Sequence, residues 1–156
     1  MSFSIAMIGA GQFAGSFAHL FHLHPGVSAV YATDVIPERA TELVEKYGLA
    51  GTFASFDDVL ASSDVDAVAI FTPRWSHGPL VVKALEAGKH VYSAVPMAIS
   101  AEEISRIIDA VRRTGLTYMM GETSHYNPAV VYARDMLAKN EFGRIFYAEG
   151  DYVHDM

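Results

Sequence analysis

The chain contains no cysteine. Disulfides and thiolate metal ligands are therefore excluded, and a cytoplasmic setting is the default expectation. Basic residues are also scarce, with 11 Lys and Arg against 18 Asp and Glu for a net charge of −7. A surface of that sign repels nucleic acid and anionic lipid, so neither is expected as a partner. No apolar run approaches the roughly 18 residues that span a bilayer. The opening Met1-Ser2-Phe3-Ser4-Ile5 places no basic stretch before its apolar run, so no secretory signal is read there. None of these absences bars a phosphate-bearing ligand, because a helix N-terminus binds phosphate through backbone N–H groups. Apolar residues are abundant at 51% of the chain, a share that favours strands buried on both faces.

Strand-like and helix-like segments alternate throughout. Phe3 to Ile8 reads as a first buried strand, and Gln12 to Leu23 as a helix with Phe13, Phe17, Leu20 and Phe21 on one stripe. Val27 to Thr33 reads as a second strand. Pro37 and Gly48 mark the start and stop of the next helix. A short strand and short helix are read between Ala50 and Ser63. Ala67 to Phe71, Val91 to Val95 and Leu116 to Met120 follow as strands. Between them lie a helix through Leu80, Val81, Ala84 and Leu85, and a helix opened by the capping-box pair Ser100 and Glu103. Asn127-Pro128 starts a last helix running to about Lys139, and Arg144 to His154 reads as a final strand. The alternation predicts an α/β fold, a doubly wound parallel sheet with right-handed crossovers.

One stretch carries chemistry. Ile8-Gly9-Ala10-Gly11-Gln12-Phe13-Ala14-Gly15 fits G-x-G-x-x-G/A with Gly9, Gly11 and Ala14. The first glycine permits the tight turn off the strand, the second lets a pyrophosphate reach the backbone, and the small third residue lets the helix pack on the sheet. Alone this pattern is weak, and a structural turn accounts for it as often as a site. Its context strengthens it, because it follows a strand and opens an amphipathic helix. Asp34 lies roughly 20 residues further on, at the end of the second strand, where a carboxylate accepts hydrogen bonds from an adenosine ribose. Asp34 is alternatively a turn or helix-cap residue, since Pro37 follows. Its charge repels a 2′-phosphate, Val35 and Ile36 offer no cation, and Arg39 belongs to the next helix, so NAD is favoured over NADP. The segment predicts a nicotinamide-dinucleotide domain of Rossmann type, with Gly9, Ala10, Gly11, Gln12, Phe13, Ala14 and Asp34 holding the cofactor. A methyltransferase would carry an acidic residue where Met7-Ile8 stand. A short-chain dehydrogenase would need a Tyr-x-x-x-Lys pair, which is absent.

Further motifs narrow this reading. Asp66-Ala67-Val68-Ala69-Ile70-Phe71-Thr72-Pro73 leads to His77; Leu85-Glu86-Ala87-Gly88-Lys89-His90-Val91 comes next, then His125-Tyr126-Asn127-Pro128. With the Gly9 loop and Asp34-Val35-Ile36-Pro37-Glu38-Arg39-Ala40, the chain resembles the glucose–fructose oxidoreductase, inositol dehydrogenase and rhizopine-catabolism family (GFO/IDH/MocA) along essentially its whole length. The resemblance implies an oxidoreductase that moves a hydride between a nicotinamide cofactor and a hydroxyl or carbonyl carbon of a sugar, cyclitol or related compound. It also implies that Phe71, Thr72, Pro73 and His77 border the cofactor. Two departures stand out. Where that family has Glu-Lys-Pro, its lysine serving in proton transfer, this chain has Ala94-Val95-Pro96, and valine moves no proton. The chain also stops at Met156, where the family's second domain would begin. The expectation is a dinucleotide domain over 1–140 and the start of a substrate domain over 141–156, an excised or truncated piece inactive alone. A homo-oligomer through that second domain is also expected. The alternative is a non-catalytic NAD-binding sensor or assembly module.

Several residues keep two readings. His77 belongs to the cofactor crevice or merely to the cap of the following helix. Trp75 lines a pocket or packs on a missing domain. His125, Tyr126 and His154 are weak catalytic candidates for a substrate cleft. His19, His22 and His24 cluster without an acidic neighbour, so histidines at a helix C-terminus are the simpler account, and no metal is expected. Lys89 and His90 open a strand at the end away from the site and read as surface or turn residues.

Overall fold

The computed structural model describes residues 2–151 and 153. Six strands, β1 (Phe3–Ile8), β2 (Val27–Thr33), β3 (Gly51–Thr52), β4 (Ala67–Ile70), β5 (His90–Ala94) and β6 (Tyr118–Gly121), form one sheet in the order β3-β2-β1-β4-β5-β6. Every pairing is parallel. The helices are α1 (Gln12–Leu23), α2 (Pro37–Tyr47), α3 (Phe56–Ala61), α4 (His77–Glu86), α5 (Ala101–Thr114) and α6 (Pro128–Ala138). Residues up to Gly121 form one compact unit and those from Glu122 onward another.

The sheet is buried on both faces, and the period-2 alternation of β1 shows how. Ala6 and Ile8 join Val68, Ile70, Val81, Leu85, Val91 and Ile107 in one core layer, while Met7 points the other way to Ala14, Ala18, Val30, Ala32, Ala40 and Leu43. Met7, Ile70, Leu85 and Ile107 are fully buried, each contributing about 1.5–3 kcal/mol by removal from water. The capping pair at α5 forms: Ser100 Oγ accepts the Glu103 N–H at 3.2 Å. The Glu103 carboxylate reaches one residue further back than a strict capping box, accepting the Ile99 N–H at 3.1 Å.

The amino ends of the central strands are tied by polar side chains. Asp66, just before β4, accepts from the Ser4 N–H and the Ser4 hydroxyl, both at 2.8 Å. These two bonds hold its carboxyl below the usual aspartate range. Lys89, read from sequence as a surface or turn residue, is instead buried. Its Nζ donates to the Ser62 and Val65 carbonyls at 2.6 and 2.7 Å, closing the segment between α3 and β4. A lysine enters a protein interior where its ammonium finds such acceptors.

Other boundaries differ as well: β4 ends at Ile70 rather than Phe71, and β6 runs from Tyr118 to Gly121 rather than from Leu116 to Met120. β5 runs His90–Ala94, so Val95 falls just beyond it. The strand expected over Arg144 to His154 is not formed among the described residues of that stretch. A strand is defined by its ladder, and no described segment pairs with this one. His154 lies outside the described residues.

Candidate dinucleotide site

The site begins where β1 ends. Gly9 takes φ +91°, and a Cβ there would lie 3.1 Å from the Phe71 carbonyl group and 3.2 Å from the Thr72 nitrogen. Glycine is therefore required twice, by the turn and by the close approach of the β4 exit. Gly11 is the N-cap of α1, and no side chain caps that helix. A Cβ at Gly11 would meet nothing within 4 Å. By contrast, Ser55 caps α3 and Ser100 caps α5. The start of α1 thus combines free backbone N–H groups with open space above them, the chemistry and room a pyrophosphate needs. Ala14 is fully buried and lets the helix sit close on the sheet.

Asp34 stands beside this loop at the end of β2. One carboxylate oxygen accepts the Ala10 N–H at 2.7 Å and the other the Ile36 N–H at 2.9 Å. The turn reading of Asp34 is the one its bonds show. It shapes the turn into α2, and its charge lies next to the loop, with a further lone pair on each oxygen for a ribose hydroxyl. A cavity of about 440 Å³ opens at Ala10, Gly11 and Gln12 and runs between α1 and α2 past Ser16, His19, Arg39, Lys46 and Tyr47. Arg39 does belong to α2, as expected, yet it lines the same cavity.

On the other side of the switch point lie the exits of β4 and β5. Phe71 packs on Phe17 and Phe13 of α1, with ring centroids 5.0 and 6.1 Å apart, and on Tyr92 at 5.9 Å. Burial raises the Tyr92 phenol above its usual range. Phe13 itself is half exposed at the rim. Thr72 Oγ1 and Ser76 Oγ share a hydrogen bond of 2.7 Å, and Ser76 Oγ donates to the Pro73 carbonyl. His77, left undecided by sequence, is buried, with one ring nitrogen on the Thr72 carbonyl and the other on the Pro96 carbonyl. Trp75 and Val95 are exposed.

Gly9 to Ala14, Asp34, Phe71, Thr72, Pro73 and His77 all fall beyond the carboxyl ends of β1, β2 and β4, on the turns there or in the first turn of the helix that follows. His125 and Tyr126 belong to the second unit. There His125 Nε2 accepts from Arg134 at 2.8 Å and the His125 and Tyr126 rings meet edge to face. Two of the three early histidines have other occupations: His19 stacks on Tyr47, and His24 Nδ1 accepts the Gly26 N–H. Sequence reasoning missed the Tyr92 contacts and both bonds of His77. The alternation of β5 was a signal for Tyr92, since it marks which residues face α1.

Strand order, glycine turn and uncapped helix define a dinucleotide-binding Rossmann domain. The family model for the oxidoreductase family with an NAD-binding Rossmann fold (GFO_IDH_MocA) matches residues 3–122, and the chain belongs to that family. A glycosyl hydrolase family 109 protein of Shewanella woodyi is 31% identical over 97% of this chain and 34% of its own length. An alpha-N-acetylgalactosaminidase of Shewanella oneidensis is 29% identical over 97% of this chain. The chain spans about a third of the length of these curated relatives. Among solved structures, scyllo-inositol dehydrogenase from Lactobacillus casei with NAD(H) and scyllo-inositol superposes with a TM-score of 0.83 at 25% identity, covering 92% of this chain and 43% of the other. An NAD-binding protein from Listeria innocua gives 0.85 at 27% identity, covering 94% and 43%. None of these proteins is named as a sensor or assembly module, so that alternative gains no support.

Proposed function

We propose that this chain is the cofactor-binding part of an oxidoreductase that moves a hydride between NAD and a hydroxyl or carbonyl carbon of a sugar, cyclitol or related compound. The observation that carries this reading is the bare N-terminus of α1, with open space at Gly11 and the Asp34 carboxylate beside it. When bound, the cofactor supplies the hydride acceptor; this chain's residues bind and orient it. Gly11 to Ala14 take the pyrophosphate, Asp34 takes the adenosine ribose, and the exits of β4 and β5 flank the nicotinamide half. Asp34 favours NAD over NADP, and Arg39 in the adjoining cavity moderates that preference. Substrate contact and catalysis belong to a second domain that begins near residue 141. Titration calorimetry of the folded chain with NAD and NADP tests the reading. Measurable binding with tighter NAD is expected; binding of neither, or clearly tighter NADP, refutes it.

A second reading of the reaction rests on the names of the curated relatives. On that reading, the protein that carries this domain acts on a glycosidic bond with no net oxidation, as NAD-dependent glycosidases do. One assay separates the two. Reduced-nicotinamide absorbance growing with polyols or cyclitols supports the dehydrogenase. Release of free sugar from an N-acetylgalactosaminide without that absorbance supports the glycosidase.

A further inference from the structure

In the proposed function, two loops form the nicotinamide side of the crevice, and the role inferred for His77 rests on that proposal. One loop leaves β4 at Thr72-Pro73, and the other leaves β5 at Val95-Pro96. Neighbouring parallel strands fix the relative position of their residues only as far as the ladder reaches. The ladder between these two ends at Ile70 and Ser93, so beyond it the loops need another tie.

We infer that His77 is that tie, a positioning residue that sets the spacing of the two crevice walls through their backbones without touching the cofactor. The ring is 1% exposed. Its Nδ1 lies 2.7 Å from the Pro96 carbonyl oxygen and its Nε2 lies 2.8 Å from the Thr72 carbonyl oxygen. Both partners are carbonyl oxygens of the walls, so both ring nitrogens are taken up by them and neither is left to bond a ligand. The tie also reaches the glycine loop. A Cβ at Gly9 would lie 3.2 Å from the Thr72 nitrogen, so the Thr72 wall runs close beside the cofactor turn on one side and meets His77 on the other. Nothing else among the described residues bonds the Pro96 carbonyl to the β4 exit.

The role makes a distinction that a merely structural histidine would not. The adenosine half of the cofactor sits at Asp34 and the start of α1, across the switch point from these walls. Loosening the walls therefore weakens NAD and spares ADP-ribose, which lacks the nicotinamide. Calorimetry on the full chain and on His77→Ala tests this. About a tenfold loss of NAD affinity is expected, with ADP-ribose within twofold of the unaltered chain. Equal losses for both ligands, or no loss for either, overturn the positioning role. If the unaltered chain binds neither ligand, the cofactor reading fails, and the positioning role with it. Should His77→Ala not fold, ¹⁵N spectra of the unaltered chain decide. A ring N–H of His77 that exchanges slowly with solvent is expected, and ring protons that exchange freely overturn the bridge.

Discussion

At the amino end of the sheet, an aspartate and a lysine make their bonds and are finished. Asp66 takes two donors from Ser4, and Lys89 gives to two carbonyls. At the carboxyl end, Asp34 takes two backbone donors and His77 spans two carbonyls, yet the helix start between them stays uncapped. The same side-chain chemistry that closes one end frames an opening at the other. The difference lies less in which residues are polar than in whether the backbone around them is satisfied. All five helices α1 to α5 start at the carboxyl end of the sheet, and where serine caps α3 and α5, glycine leaves α1 bare. A parallel sheet aims every helix N-terminus at one end; α2 and α4 also lack a side-chain cap, and what marks α1 is the open space at Gly11 with the Asp34 carboxylate beside it.

The contrast is broken most decisively by filling the opening. Gly11 has ordinary backbone angles, φ −72° and ψ 179°, and free space where a Cβ would go. Aspartate there would cap α1 and place a negative charge where phosphate belongs. Gly11→Asp is expected to leave the melting temperature unchanged or slightly raised while lowering NAD affinity by roughly 100-fold or more. Calorimetry and a thermal melt on the same sample check both halves. A stable variant that still binds NAD well would place the cofactor elsewhere.

At the other end the expectation reverses. Lys89→Met keeps the length of the side chain and removes both of its bonds, leaving the Ser62 and Val65 carbonyls without that donor. A loss of about 2 kcal/mol in unfolding free energy is expected, read from a denaturant titration. NAD affinity of the folded variant should stay within about twofold, because the affected segment lies at the opposite edge of the sheet. A large affinity change would mean that the two ends are coupled.

Asp34 should sit between these extremes, because it serves both shape and ligand. Asp34→Ala removes the acceptor for the Ala10 and Ile36 N–H groups, costing about 1 kcal/mol of stability. It should weaken NAD about tenfold. NADP should weaken less, since the lost charge no longer opposes a 2′-phosphate and Arg39 remains in the adjoining cavity. Calorimetry with both cofactors reads the ratio; an unchanged ratio would reduce Asp34 to a turn residue.

Much of this organisation was legible in the sequence. The Phe13-Phe17-Phe21 stripe, the Pro37 and Gly48 boundaries and the Ser100 and Glu103 pair are local signals, and each produced the element expected. The glycine loop was legible because its spacing reports a backbone shape. What escaped were bonds between residues far apart in the chain. Ser4 meets Asp66, and Lys89 meets Ser62 and Val65, only after β1, β4 and β5 have paired. Charge alone made Lys89 read as surface. His77 stayed ambiguous because its two partners are backbone carbonyls, which no residue type announces. The tail misled for a related reason: Arg144 onward has the composition of a strand, but a strand also needs a neighbour, and sequence pattern does not supply one.

The smallest effect expected, and the finest test of the contrast, is the response of Asp66 to acid. Its bonds to the Ser4 N–H and hydroxyl lower its carboxyl below the 3.8 of an unperturbed aspartate. The folded form thus binds the proton more weakly than the unfolded chain. By linkage, that difference stabilises the fold above about pH 4 and is lost as the pH falls through the lowered folded value. Asp66 is exposed, so solvent screens the bond and the contribution should be only about 0.5 kcal/mol. Asp66→Asn keeps the shape without the titrating charge. It is expected to be slightly less stable than the unaltered chain near pH 6 and to converge with it as the pH falls through the lowered folded value. Denaturant titrations of both proteins across that range supply the comparison. If the gap between them stays constant with pH, the carboxylate's charge contributes nothing at the amino end, and only its hydrogen-bond geometry matters there.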